Sequence, residues 1–224
     1  MLDRQSASQS SVVASLISND CLNAHHRASP MRLGVLASGT GSNFQAIAEA
    51  IASRQLNASI QVVIYNNVGA GVSHRAAALG IPAILVDHRE FSHREQLDEA
   101  LISILHQHHV EWVIMAGWMR RVTDVLIRAF SGRMLNIHPS LLPSFPGIRA
   151  VEQALNANVA ITGCTVHEVV LEVDQGPIVM QAAVPIESGD TVESLHRRIH
   201  TQEHHIYPLA IALAHGRSQV EATR

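Results

Sequence analysis

Long apolar runs are missing from this chain. None approaches the roughly 20 residues that a helical membrane span needs, so no membrane partner is expected. Cysteine is nearly absent, with Cys21 and Cys164 alone. That excludes a disulfide framework and fits a reducing, cytoplasmic compartment. Neither His-Glu-x-x-His nor Cys-x-x-Cys spacing occurs, so no metal is expected despite fifteen histidines. The tightest group, His106, His108 and His109, falls in the last turn of a helical pattern, where polar and cationic side chains suit the helix dipole. A net charge of −3 with no strongly basic face argues against nucleic acid as a partner. Internal repeats and interdomain linkers are also lacking. What is present is an ordinary globular balance, 47 % apolar and 16 % charged over 224 residues, enough for one α/β domain with a sizeable core.

Residues 1–29 stand apart. They are rich in Ser, Gln, Asn and Ala, and their one apolar patch, Val12 to Ile17, is too short for the core of a signal peptide. They are expected to form a flexible or loosely docked extension to a single domain over 30–224. From Met31 strands and helices alternate. Buried strands are predicted over 31–37, 60–65, 81–86, 112–116 and 134–138, the third at an edge. Helices are predicted after Asn43 (with Phe44, Ile47, Ala48 and Ile51 on one face), near 71–79 and over 92–109. A short helix near 149–157 precedes two runs, 165–170 and 177–182, joined by a turn-rich segment and therefore paired antiparallel. A final helix opens at Asp190-Thr191-Val192-Glu193, read as a capping box. The expected architecture is α/β: a Rossmann-like, mostly parallel sheet with helices on both faces and an antiparallel C-terminal strand pair.

Gly39-Thr40-Gly41 follows the first strand and opens a helix. Free N–H groups and small residues there favour an anion, with Ser42 and Asn43 as added donors or helix caps. The dinucleotide fingerprint fails in two places. Phe44 stands where a third small residue is needed, and the second strand ends Tyr65-Asn66-Asn67 without an acid for ribose. The loop therefore suits a single phosphate better than NAD.

Asn136-Ile137-His138-Pro139 ends another strand. Alternation puts Asn136 and His138 on one face, and Pro139 stops the ladder beyond them. An amide beside an imidazole suits a carbonyl oxygen that gains negative charge under attack.

Ala37-Ser38-Gly39-Thr40-Gly41-Ser42-Asn43, Ala116-Gly117-Trp118-Met119-Arg120, Leu135-Asn136-Ile137-His138-Pro139-Ser140-Leu141-Leu142-Pro143, Asp174-Gln175-Gly176-Pro177 and Thr201-Gln202-Glu203-His204 together resemble, in the same order, the phosphoribosylglycinamide formyltransferase family. The resemblance spans about residues 31–216. It implies the formyltransferase fold and transfer of the formyl group of 10-formyltetrahydrofolate, as co-substrate, to the amine of glycinamide ribonucleotide in purine biosynthesis. No metal is implied, and the state is a monomer or homodimer acting on small molecules. By the same resemblance Asn136, His138 and Asp174 are expected to be catalytic. Gly41, Ser42, Asn43, Gln202 and Glu203 are expected to meet the nucleotide. Arg94, Met119, Arg120, Arg121, Val122 and the loop Val170, Leu171, Glu172, Val173 and Asp174, with Asn136, are expected to meet folate. Ser144 stands where family members often carry a base, which leaves Arg149 as a substitute near the phosphate.

The implied chemistry needs no covalent intermediate. The amine attacks the formyl carbon, Asn136 and His138 donate to the oxyanion, and Asp174 faces His138. Cys164 is then read as packing, His167 as a structural histidine, and Trp118 as either a pterin platform or strand-end filler. Without the resemblance, Glu203 reads as solvated, while Arg94, a cation in the first turn of a helix, points to a job outside the helix or to an ordinary ion pair with Glu90 or Glu95. Rival readings are a formyltetrahydrofolate hydrolase, expected to need a larger N-terminal domain, and methionyl-tRNA formyltransferase, expected to carry a further C-terminal one. A non-catalytic nucleotide or folate sensor and a plain NAD oxidoreductase complete the set.

Overall fold

The computed structural model describes residues 19–222. Seven strands form one sheet: β1 (Met31–Ala37), β2 (Ala58–Tyr65), β3 (Ala83–Leu85), β4 (Trp112–Met115), β5 (Met134–His138), β6 (Ile161–Glu168) and β7 (Ile178–Pro185). Their order is β3-β2-β1-β4-β5-β6-β7. The first five run parallel, and β6 and β7 are antiparallel additions. Both the mixed sheet and the edge position of β3 agree with the sequence reading.

Alternation along the strands builds two cores. Leu33, Val35, Ile114 and Leu135 face one side, where α2 (Ser42–Ala52), α3 (Val72–Ala78), α6 (Ala150–Asn156) and α7 (Val192–Ala222) cover them. Leu36, Val62, Val113 and Met115 face the other, beneath α4 (Arg94–Gln107) and α5 (Asp124–Ala129). The chain turns from β3 back across the sheet to β4, on the far side of β1. That reversal opens a crevice at the C-terminal ends of β1 and β4, the place where open α/β sheets bind ligands. Tyr207 pins α7 beneath it, its hydroxyl lying 3.2 Å from the Met115 carbonyl and 3.1 Å from that of Leu135.

Two local expectations change. The cap of α7 sits one residue later than the sequence suggested: Thr191 Oγ1 accepts from Ser194 N–H at 3.1 Å, while Ser194 Oγ accepts from Thr191 N–H at 3.0 Å. Asp190 instead binds Arg198, a stronger partner for a carboxylate than a helix N–H. Ser42 and Asn43 do not cap α2. Its N-cap is Gly41, at φ 78°, with no side-chain cap bond.

The segment set apart as a loose extension also behaves otherwise where it is described; Val12 to Ile17 lie outside the described residues. Asn19–Arg27 form a helix, α1, packed across the C-terminal part of α7. Cys21 and His25 are buried there. Gly216 makes the approach possible, since a Cβ at that position would lie 1.8 Å from the Cys21 carbonyl oxygen.

Candidate active site

The antiparallel step from β5 to β6 creates the centre of the site. Register sets Asn136 opposite His167 and His138 opposite Thr165, so side chains on one sheet face become neighbours across strands. Asn136 Nδ2 lies 3.1 Å from His167 Nε2. His167 Nδ1 lies 2.8 Å from the Glu168 carbonyl, which only accepts, so Nδ1 carries a proton. Nε2 faces both the Asn136 amide and Asp174: bare it accepts from the amide, and protonated it donates to the carboxylate. Asp174, in the turn between β6 and β7 at φ 59°, completes the group. Its Oδ1 is 3.6 Å from His167 Nε2 and its Oδ2 3.4 Å from His138 Nδ1. Gly147 N–H donates to the same Oδ2 at 2.8 Å.

Burial works to raise the Asp174 pKa. The contact with His167, the bond from Gly147 and the two imidazoles outweigh it, and the carboxyl is held below its ordinary range. An ionised acid with its charge stabilised from three sides thus sits between two rings. His138 donates Nε2–H to the Phe145 carbonyl at 2.9 Å. It lies behind Asp174, and only 7 % of its side chain is exposed.

A cleft of about 490 Å³ opens in front of Asn136, His167 and Asp174. Met115, Trp118, Val122, Val169 and Val170 give it apolar walls, and Arg94, Arg120 and Arg121 stand at its mouth with Leu171 and Val173. Trp118 is buried in the α4/α5 core as well as lining the cleft. Two residues expected to meet folate fall outside the lining: Met119 is 76 % exposed and Glu172 points to solvent on the same turn as Asp174. Behind the arginine wall, buried Asp98 accepts from Thr123 N–H at 2.6 Å and fixes the start of α5. No sequence signal marked that anchor.

On the other side of the β5 end, Asn43 Nδ2 donates to Glu203 Oε2 at 2.8 Å. Glu203 is 3 % exposed, so the reading of a solvated helix carboxylate is corrected. Burial raises its pKa, against the pull of Asn43, His196 and His138. Gly41 is held close by Val72, whose Cβ would stand 2.7 Å from any Cβ at 41. Gln202 is not brought to Asn43. It lies in a shallow recess with Thr201, His204 and His205, its Oε1 buried without a hydrogen-bond partner. Arg149 lies 3.6 Å from Glu152 at the start of α6, and Ser144 is exposed in the preceding loop. Cys164 is wholly buried, and burial, then the charge of Glu203, pushes its thiol pKa far up, as suits packing.

His167, read from the sequence as a structural histidine, touches both Asn136 and Asp174. Its signal was the β5–β6 register, which places an imidazole opposite the Asn of Asn-x-His. Among the described residues, no cluster of three or more His, Cys, Asp or Glu side chains could hold a metal ion, and no helix is long and apolar enough to cross a membrane.

Residues 31–211 match the formyl transferase family model. The chain is 41 % identical to phosphoribosylglycinamide formyltransferase of Bacillus subtilis (strain 168), over 80 % of this chain and 92 % of that one. It is 42 % identical to the trifunctional purine biosynthetic protein adenosine-3 of Bos taurus over 89 % of this chain, but spans only 20 % of that protein's length. The crystal structure of glycinamide ribonucleotide transformylase 1 from Symbiobacterium toebii superposes with a TM-score of 0.83 at 45 % identity, over 85 % of this chain and 91 % of that one.

Proposed function

The chain belongs to the formyl transferase family, and on that premise we propose that it moves the formyl group of 10-formyltetrahydrofolate to the amine of glycinamide ribonucleotide in purine biosynthesis. The observation that carries the reading is the linked set Asn136, His167, Asp174 and His138, joined at 3.1, 3.6 and 3.4 Å, the first three of which line the cleft of about 490 Å³. A binding protein has no use for an amide donor, a charge-stabilised acid and two imidazoles at one point. A transfer through a tetrahedral centre uses all of them.

The cleft suits a folate in shape and charge. Its apolar walls and Trp118 fit a flat pteridine, and its three arginines fit the carboxylates of the tail. The nucleotide enters from the Gly41–Asn43 side, so that its amine passes Glu203 on the way to the formyl carbon. Asn136 spends one amide hydrogen on His167 and directs the other at the oxygen that becomes negative. His138 supplies the second donor once its Nε2–H leaves the Phe145 carbonyl for the substrate. Asp174 takes the proton of the attacking amine, directly or through water, and returns one to the leaving nitrogen. No covalent enzyme intermediate arises.

The test is an assay on the purified protein. Folate absorbance and formylated nucleotide are followed with glycinamide ribonucleotide present and absent. Folate turnover that requires the nucleotide and yields one formylated product per folate is expected. Formate release independent of the nucleotide makes the protein a hydrolase instead, and an absence of turnover with both substrates overturns the reading.

A further inference from the structure

Beside the α2 terminus, α7 carries a ladder of histidines that the transfer chemistry leaves unused. His196, His200 and His204 recur at every fourth position and so share one helix face. The His196 and His200 ring centroids are 4.0 Å apart, and those of His200 and His204 are 6.0 Å apart in a stacked arrangement. The ladder reaches the nucleotide side at two points. His200 Nε2 lies 3.7 Å from Glu203 Oε2, the oxygen that also binds Asn43. His204 lines, with Ser42 and Arg75, a second cavity of about 550 Å³ between α2 and α7, and its Nε2 is buried with no hydrogen-bond partner.

The charges facing the ladder are few. Glu203 stands on its own helix, Glu49 on α2 and Arg75 on α3; His205 lies on the outer side, and His138 acts on Glu203 from β5. Arg75 donates Nε–H to the Thr40 carbonyl at 2.8 Å, which holds its guanidinium beside the glycine loop. The first turn of α2 offers N–H groups with no side-chain cap. An anion seated there lies beside free donors, one fixed cation and the His204 ring, with His200 and then His196 following it along α7.

We propose that His196, His200 and His204 form a proton-linked counter-charge for the phosphate of the nucleotide substrate, drawing in a proton as the phosphate binds. The inference rests on the proposed function, which puts a phosphomonoester at Gly41–Asn43. Burial, then mutual repulsion and Arg75 where they apply, lowers the pKa of all three rings in the free protein. A dianion brought among them favours the charged form and reverses that bias. Lysine at such a place would be a permanent charge. Histidine makes affinity depend on pH, rising by up to about tenfold per unit of acidity for one linked proton.

The test uses ribose 5-phosphate, which has the sugar and phosphate but no amine to confuse the proton count. Calorimetry on the full chain at pH 7.5, in buffers of different ionisation heat, reads the protons exchanged. Net uptake is expected in the wild type and a clear reduction in His200→Gln and His204→Gln. In steady state the same variants raise the nucleotide KM more at pH 6.5 than at pH 8.5 and leave the folate KM in place. Imidazole proton resonances of the wild type, assigned from the single variants, titrate at higher pH once ribose 5-phosphate is added. Binding with no proton exchange and unmoved imidazole titrations overturns the ladder proposal and leaves the formyl transfer reading standing. If the wild type binds neither ribose 5-phosphate nor glycinamide ribonucleotide, both fall together.

Discussion

Two pairs of buried histidines sit at opposite ends of this sheet, and only one of them has an acid in contact with it. At the C-terminal ends of the strands, His138 and His167 flank Asp174. Beneath the N-terminal ends, His25 of α1 meets His215 of α7 with 2.9 Å between their Nδ1 atoms. Asn57 N–H donates to His25 Nε2 at 2.9 Å, so that nitrogen holds no proton and the His25 proton lies on Nδ1, given to His215. Each bond in that chain needs neutral rings. His26 and Glu111 are the titratable neighbours, and Trp112 closes the pair edge-on. Burial, followed by the charges of His215 and His26, lowers the His25 pKa to about 4. The same side chain thus forms a fixed hydrogen-bond joint where no carboxylate touches it and part of an ionisable cluster where one is buried beside it.

Removing the acid breaks the contrast most severely. Asp174→Asn keeps the shape and the acceptor for Gly147 N–H but loses the charge and the site for a proton. Formyl transfer is expected to fall by about 10²–10⁴-fold, the range for a lost general acid–base group, while nucleotide affinity measured by calorimetry stays within a few-fold. Turnover near the wild-type rate would make Asp174 a structural acid and level the two ends.

The joint at the other end shows in stability against pH. The His25 pKa is 6.5 in an ordinary setting and about 4 in the fold, so between those values the unfolded chain binds more protons. Its contribution is complete above about pH 6.5 and is lost as pH falls toward 4, a change of up to about 3 kcal/mol. The urea midpoint is expected to drop between pH 7 and pH 5, and His25→Gln, which still accepts from Asn57, is expected to flatten that drop. Equal slopes in the two proteins would show that the pair titrates as it does in the unfolded chain.

The two ends also differ in how far the sequence disclosed them. Strand positions, the mixed sheet and the pairing of Asn136 with His138 follow from alternation and one proline, because those rules are local. Glu203 looked like a surface carboxylate, since a helix pattern cannot say that Asn43 will come from 160 residues away to bind it. His167 reads from the sequence as a structural histidine, and its contacts with Asn136 and Asp174 follow from strand register rather than from its chain neighbours. The α1 joint was illegible for the same reason. Its Ser-rich, weakly apolar surroundings read as a loose tail, and its anchors, Asn57 and His215, are distant in sequence. Composition reports what a segment buries on average, whereas a few specific bonds decide whether a short helix docks.

The smallest expected effect is also the cleanest separation of the two ends. In Gly216→Ala the new methyl would meet the Cys21 carbonyl at 1.8 Å, so α1 must move. Crowding of this kind costs about 1–3 kcal/mol, while alanine in a helix interior regains about 1 kcal/mol over glycine. The net loss in global stability is therefore about 1 kcal/mol. It is concentrated at the α1 contact, where amide hydrogen exchange of residues 19–27 is expected to accelerate well beyond that of the strands. The crevice at the far end of the sheet shares no side chain with this contact, so formyl transfer is expected to stay at its wild-type rate. A variant that exchanges normally over 19–27 would show that α1 accommodates the methyl by sliding along α7. One that folds but loses turnover would show that α7 transmits the α1 contact to Glu203 and the histidine ladder along its own length.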